Sequence, residues 1–205
     1  MTSSTRENQK IQTLNRIKKS ALIMFAHHGF SISIAKIADH AGISKQALMY
    51  HYPTKSQLLE AVIQDIEHSS FSSLLQFFSL LLQPETPKEL NELESIVGDF
   101  LEQHLWGVLF LRLVIENRES YLPESFRSQH LMIIQALEER QKRGEIKEHV
   151  DVAATFTNMN MLLLTTLATA QIQTSISEAL NITSEVWLRR RIFSVFRMYR
   201  STLFS

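Results

Sequence analysis

Lys45, Gln46, Tyr50 and His51 bring a cation, an amide, a phenol and an imidazole into one short stretch, with only Ala47, Leu48 and Met49 between them. Leu48 is the member suited to a core. The rest make an outward surface that carries hydrogen-bond donors, a positive charge and little bulk near its start. A major groove admits such a surface, because its floor presents donors, acceptors and thymine methyls. Lys55 follows in the first turn of the next helix, where backbone N–H groups also point outward. A lysine is unfavourable beside a positive helix end unless an anion lies there, and a DNA phosphate would be that anion. Double-stranded DNA is the expected partner.

Two helices and a turn must position these groups. Ile34, Ile37, Ala38 and Ala41 fall on one helical stripe, and Ala38 is small enough to let a second helix cross close by. Gly42 supplies the positive φ of a tight interhelical turn, and Ile43 plugs that turn from inside. Ser33 and Ser44 stand where the two helices need N-caps, and Leu48 returns to the core one turn on. Pro53 ends the second helix and Thr54 caps the next. Upstream, Ile11, Leu14, Ile17, Ala21, Leu22 and Phe25 predict a first amphipathic helix that closes at His28-Gly29.

The run Ser33-x-x-x-Ile37-Ala38-x-x-Ala41-Gly42-Ile43-Ser44-Lys45-x-x-Leu48-x-x-His51-Tyr52-Pro53-x-Lys55-x-x-Leu58 resembles the amino-terminal domain of the TetR family of bacterial transcriptional regulators. The resemblance implies that Ser33, Ser44, Lys45, Gln46, Tyr50, His51 and Lys55 contact phosphates or base edges, with Ala47 on the same outward face. Family members usually carry, after the Leu48 position, a tyrosine that touches the DNA backbone. Met49 stands there in this chain, so that contact is missing or passes to Tyr50. Gln46 occupies a position that is often glycine, so it is expected to read a base edge, with adenine its best bidentate partner. The resemblance further implies a homodimer, an unknown small-molecule effector and release from a palindromic operator when that effector binds.

Composition agrees with such a chain. Its 205 residues are 44% hydrophobic and include no cysteine, enough for one sizeable core and a satellite without disulfides. The first ten residues are polar and show no signal peptide, which makes a cytoplasmic location the expectation. Charge is zero overall but unevenly placed: residues 1–55 carry a balance of +6 and residues 56–205 a balance of −6. A DNA-binding head on a non-binding body shows that asymmetry. The expected division is a helix-turn-helix DNA-binding domain over residues 1–56 and a helical effector-binding and dimerisation domain over 57–205.

Beyond residue 58 no segment alternates long enough for a strand, and the fold is read as all-α. Apolar stretches are read from Leu58 to Ile66, from Phe71 to Leu81, from Leu90 to Leu101 after Pro87, from Val108 to Glu119 after a break at Trp106-Gly107, and from Glu124 to Arg143. Val152 to Ser177 contains no charge, but threonines, asparagines and a glutamine interrupt it too often for a membrane span. Covered on several sides by protein, it reads as the penultimate helix. In the resemblance it pairs with the last helix, and two helices from each subunit make the dimer interface. Met161, Leu164, Leu188, Ile192, Phe196 and Tyr199 are the candidates for that interface.

Phe71, Phe100, His104, Trp106, Phe110, Met132, Asn158 and Met159 are the candidate ligand-binding residues, chosen by position and side-chain type. Aromatic packing explains His104, Trp106, Phe100 and Phe110 equally well, and methionine is a general gap filler. His27 and His28 suit the negative end of a helix better than a metal, and Arg189-Arg190-Arg191 suits a solvated face. Glu116 and Glu119, with Arg112 and Arg118 nearby, read as surface ion pairs. A chain with 5 glycines and no phosphate-binding loop or nucleophile motif gives no enzyme signal, so no catalytic or metal residue and no cofactor is assigned. The alternative is a DNA-binding adaptor whose body recognises another protein, which an exposed apolar patch without an enclosed cavity would favour.

Overall fold

The computed structural model describes residues 2–82, 92–98, 104–169 and 174–204, and within them all side chains except those of 2–5, 68–72, 74 and 174. Three helices come first: α1 (Thr2–His28), α2 (Ile34–His40) and α3 (Lys45–His51). They are followed by α4 (Lys55–Leu81), α5 (residues 92–98), α6 (His104–Ile115), α7 (Glu124–Lys142), α8 (Val152–Ala168), α9 (Thr174–Ala179) and α10 (Ser184–Leu203). No strand occurs among the described residues. The protein is an all-α chain with a helix-turn-helix head and a helical body.

α4 is one uninterrupted helix of 27 residues, where the apolar pattern suggested a second stretch beginning at Phe71. Neither glycine nor proline occurs between residues 55 and 81. A capping box starts it: Thr54 Oγ1 accepts from the Gln57 amide at 3.2 Å, and Gln57 Oε1 accepts from the Thr54 amide at 3.2 Å. Its length lets it serve two cores. Leu58, Leu59, Val62, Ile63 and Ile66 join Ile17, Phe25, Ile37 and Leu48 of the head, whereas Phe77, Phe78, Leu80 and Leu81 join the core of the body.

The head core does not stop where α4 begins. Trp106, Leu109, Phe110 and Leu113 of α6 belong to it, so packing runs across the expected boundary at residue 56. The break expected at Trp106-Gly107 is absent, and α6 runs straight through. Gly107 is there for room: a Cβ on it would lie 2.8 Å from the Leu164 carbonyl and 3.0 Å from the Ala168 amide. Close approach of the α6 and α8 backbones offsets the ~1 kcal/mol that glycine costs inside a helix.

The charge-free stretch divides, with α8 ending at Ala168 and a short α9 following from Thr174. Asp151 caps α8 by accepting from the Ala154 amide at 2.9 Å. Val152, Phe156, Met159, Asn160, Leu163, Thr166 and Leu167 are its buried residues, and among the described residues no helix is long and apolar enough to cross a membrane. α10 turns Leu188, Ile192, Val195, Phe196, Tyr199 and Leu203 inward, with the Phe196 ring edge-on to Phe77 at 5.4 Å. Ile192 is 0% exposed, and its truncation to alanine should cost about 2–5 kcal/mol.

Candidate nucleic-acid interface

Local hydrogen bonds fix the angle between α2 and α3. The Ser33 hydroxyl accepts from the Lys36 amide at 3.3 Å, and the Ser44 hydroxyl from the Ala47 amide at 3.1 Å. Between them the chain closes α2 with two bonds, Ile43 amide to Ala38 carbonyl and Gly42 amide to Asp39 carbonyl, each 3.0 Å. That is a Schellman closure, and it requires the left-handed φ of +64° that Gly42 adopts. Ala38 and Leu48 are fully buried where the two helices meet.

With that core fixed, α3 presents its other sides to solvent. Lys45, Gln46, Met49 and Tyr50 are exposed, Ala47 and His51 half-buried, and Ser33 and Ser44 exposed at the caps. Tyr50 is 83% exposed and stands edge-on to His51 at 5.2 Å. Met49 is also exposed, so the position where a tyrosine would face the DNA backbone holds an outward thioether. Asp39 is the only acidic residue between 8 and 59, which leaves this face without a competing carboxylate of its own.

Lys55 is engaged differently from the sequence expectation. Its ammonium donates to the carbonyls of Phe30 and Ile32, the latter at 3.2 Å. Backbone oxygens therefore occupy two of its three donors, and no outside anion is needed to explain a cation at that helix start. An ammonium has three N–H donors, so these two contacts leave one over.

Among the described residues, the candidate ligand residues are not brought together into one site. Trp106 and Phe110 pack edge-on at 5.7 Å inside the head core, with Phe126 a further 5.8 Å from Phe110. Met132 and Asn158 lie on the surface, because Ile133 and Leu137 of α7 and Phe156 and Met159 of α8 take the inward positions. Met159 is in the body core and His104 is half-buried at the start of α6. Phe100 and the side chain of Phe71 lie outside the described residues.

The polar group that the sequence reading missed in the body is His130. Its ring lies on Phe156 at 4.5 Å, Nδ1 accepts from the buried Asn160 amide at 3.3 Å, and Nε2 is 3.3 Å from the Thr157 hydroxyl. Asn160 can only donate its N–H to Nδ1, so the ring proton sits on Nε2. Burial pushes the imidazole below its ordinary pKa. Its place in the sequence, three and seven residues before Ile133 and Leu137, was the available signal. In the same body Thr166 Oγ1 and Trp187 Nε1 are buried without a hydrogen-bond partner among the described residues.

The dimer candidates divide by face. Leu188, Ile192, Phe196 and Tyr199 form the inward stripe of α10 and are spent on the subunit's own core. Met161 is exposed and Leu164 half-buried on α8. The outward side of α10 is lined by Val186, Arg190, Phe193, Ser194, Arg197 and Met198 and forms an open groove of about 770 Å³. Of the three consecutive arginines, Arg189 is bonded to Glu94 and Glu185, and Arg191 reaches the Thr169 hydroxyl at 3.4 Å. Arg190 is exposed.

Comparison with known proteins points the same way. Residues 17–62 match the family model for bacterial regulatory proteins of the tetR family. The chain is 30% identical over 117 residues to the nucleoid occlusion factor SlmA of Aliivibrio fischeri, covering 55% of this chain and 59% of that one. It is 28% identical over 130 residues to the HTH-type transcriptional regulatory protein RaaS of Mycobacterium tuberculosis, covering 55% and 57%. The chain thus spans less than two thirds of the length of either relative. A TetR family transcription regulator from Marinobacter aquaeolei VT8 superposes with a TM-score of 0.64 at 17% identity, over 96% of this chain and 98% of that one.

Proposed function

We propose, from the premise that this chain has the amino-terminal domain and the fold of TetR-family transcriptional regulators, that it is a dimeric repressor released from a palindromic operator by a small molecule. The observation that carries the reading is α3: a short capped helix, anchored by Leu48, whose outward residues are all uncharged or basic. In a dimer two such helices would enter successive major grooves about 34–36 Å apart, or a multiple of that spacing. Phosphate contacts from Ser33, Ser44, Lys45 and the free N–H of Lys55 would supply most of the affinity, and Gln46, Tyr50 and His51 the register and sequence preference.

For the dimer, the outward face of α10 is the surface we assign, with Phe193 and Met198 as its apolar centre. The inward stripe is already buried in the core of the subunit, which supports the choice of the outward face. For the effector, the body offers hydrogen-bonding groups: the half-buried His130 beside the buried Asn160, and the buried Thr166 hydroxyl and Trp187 indole N–H, which have no partner among the described residues. A largely apolar molecule with a few hydrogen-bonding groups fits that chemistry. By linkage, an effector that prefers the form unable to bind DNA weakens operator binding by the same coupling free energy, typically about 1–3 kcal/mol.

Selection of bound duplexes from a random library tests the reading. A two-fold symmetric consensus, bound in a salt-sensitive way, is the expected result. Recovery of sequences no different from the input would refute it.

A further inference from the structure

The last two turns of α6 sit on the place where α1 ends. Arg112 Nε donates to the Ala26 carbonyl at 3.3 Å and its Nη2 to the His27 carbonyl at 3.1 Å, oxygens in the last turn of α1 that lack a partner within their own helix. Glu116 Oε2 accepts from the Phe30 amide at 3.1 Å, and its Oε1 lies 3.7 Å from Arg112 Nη1. Just beyond the helix, the Arg118 guanidinium lies over the Phe30 ring at 5.1 Å from its centre. The segment so held is short and stiff. Gly29 is in the left-handed region at φ +71°, the Phe30 ring packs on Phe25 at 5.3 Å, and Lys55 holds the Phe30 and Ile32 carbonyls from the other side. Ser33, the cap of α2, comes next in the chain.

We infer that Arg112 and Glu116 are a latch that fixes the attitude of the head to the body and carries a displacement of α6 to α2 and α3. This path runs through the α1–α2 junction and is separate from the covalent continuity of α4. Its upstream side is equally stiff, because at Gly107 α6 lies against the backbone of α8. A shift of α8 or α6 moves Arg112 and Glu116 with it, and the buried Phe30 and Ile32 deliver that shift to the helix-turn-helix. Arg112 also meets the negative end of α1, so withdrawing it removes a charge interaction as well as two hydrogen bonds. The inference rests on the regulator reading for its biological meaning, but not for its geometry.

The chain has no cysteine, so two introduced cysteines can be spin-labelled without interference. Asp39→Cys on α2 and Lys142→Cys at the end of α7 are both exposed positions, one in the head and one in the body. The full-length labelled chain, diluted with unlabelled chain, should give one narrow head-to-body distance distribution. Arg112→Ala combined with Glu116→Ala should broaden it roughly twofold, as release into sub-global motion requires. Gly29→Ala should broaden it too, because a side chain is strained at φ +71° and its Cβ would push the Glu116 carboxylate off its contacts. Glu116→Gln, which keeps an acceptor for the Phe30 amide, should stay near the parent width. A parent-like width in both disrupted variants, with their helical circular dichroism intact, overturns the latch. The measurement uses no DNA: failure to bind duplexes would remove the regulator reading and leave the latch standing.

Discussion

Lys55→Met separates a structural cation from one that serves DNA alone. The ammonium holds the carbonyls of Phe30 and Ile32 where the α1–α2 junction meets α4. Hydrogen bonds to a charged group contribute about 1.5–3 kcal/mol each when sheltered. Lys55 is half-buried, so partial solvation of its ammonium and of the freed carbonyls brings the net loss for both bonds to about 2 kcal/mol. Methionine keeps most of the stem, so little packing is lost. For a chain of this size that corresponds to a fall in Tm of roughly 4–8 °C. Urea unfolding followed by helical circular dichroism, without DNA, reads the change directly, and the slope m should stay constant. The proposed contact of the third N–H with a phosphate adds a second expectation: the log–log salt slope of duplex binding should also fall, by up to about 0.9. A variant as stable as the parent within about 0.5 kcal/mol, with only the salt slope reduced, would show that the two carbonyl contacts contribute nothing and that Lys55 is a phosphate ligand alone.

Other perturbations probe the remaining parts. Gln46→Ala should relax preference at one base position per half-site, at about 1–3 kcal/mol, and leave binding to random duplexes nearly unchanged; equal losses on both would show that Gln46 reads no base. His130 has a folded pKa below its unfolded one because burial disfavours the imidazolium. The unfolded chain therefore takes up the proton first, and stability is full above the ordinary histidine range and falls as pH drops through it towards the folded pKa. His130→Gln should flatten that fall, seen as urea midpoints at neutral and mildly acidic pH; parallel curves for parent and variant would exclude the group. Met198→Asp, at an exposed position on the outward face of α10, should convert a dimer to monomers in sedimentation equilibrium while keeping the fold, and a stable dimer would move the interface elsewhere.

The head was legible in the sequence because short-range rules govern it. Two serine caps, a glycine that alone tolerates the left-handed turn, and a stripe of small and branched apolar residues fix α2 and α3 with almost no help from the rest of the chain. The body was less legible. Gly107 reads as a break when seen alone, and only the neighbouring backbone of α8 shows that it is a point of close approach inside a continuous helix. The apolar stripe of α10 is real, but an amphipathic helix cannot tell a core of its own subunit from a partner's surface; the answer came from Phe77 and its neighbours, over a hundred residues away. Arg112 and Glu116 look like an ordinary i, i+4 pair for the same reason. Their partners are backbone groups at residues 26, 27 and 30, and backbone partners leave no trace in side-chain patterns.

The central claim is that α3, with a twin across a two-fold axis, lies in the major groove. With no native cysteine to compete, Gln46→Cys carrying a tethered DNA-cleaving chelate places the reagent on that helix. On a selected duplex the account predicts two symmetric clusters of major-groove cleavage whose centres are about one helical turn, 10–10.5 base pairs, or a multiple of it apart. A single cluster, cleavage spread evenly along the duplex, or none at all from a chain that still binds the DNA, would contradict it.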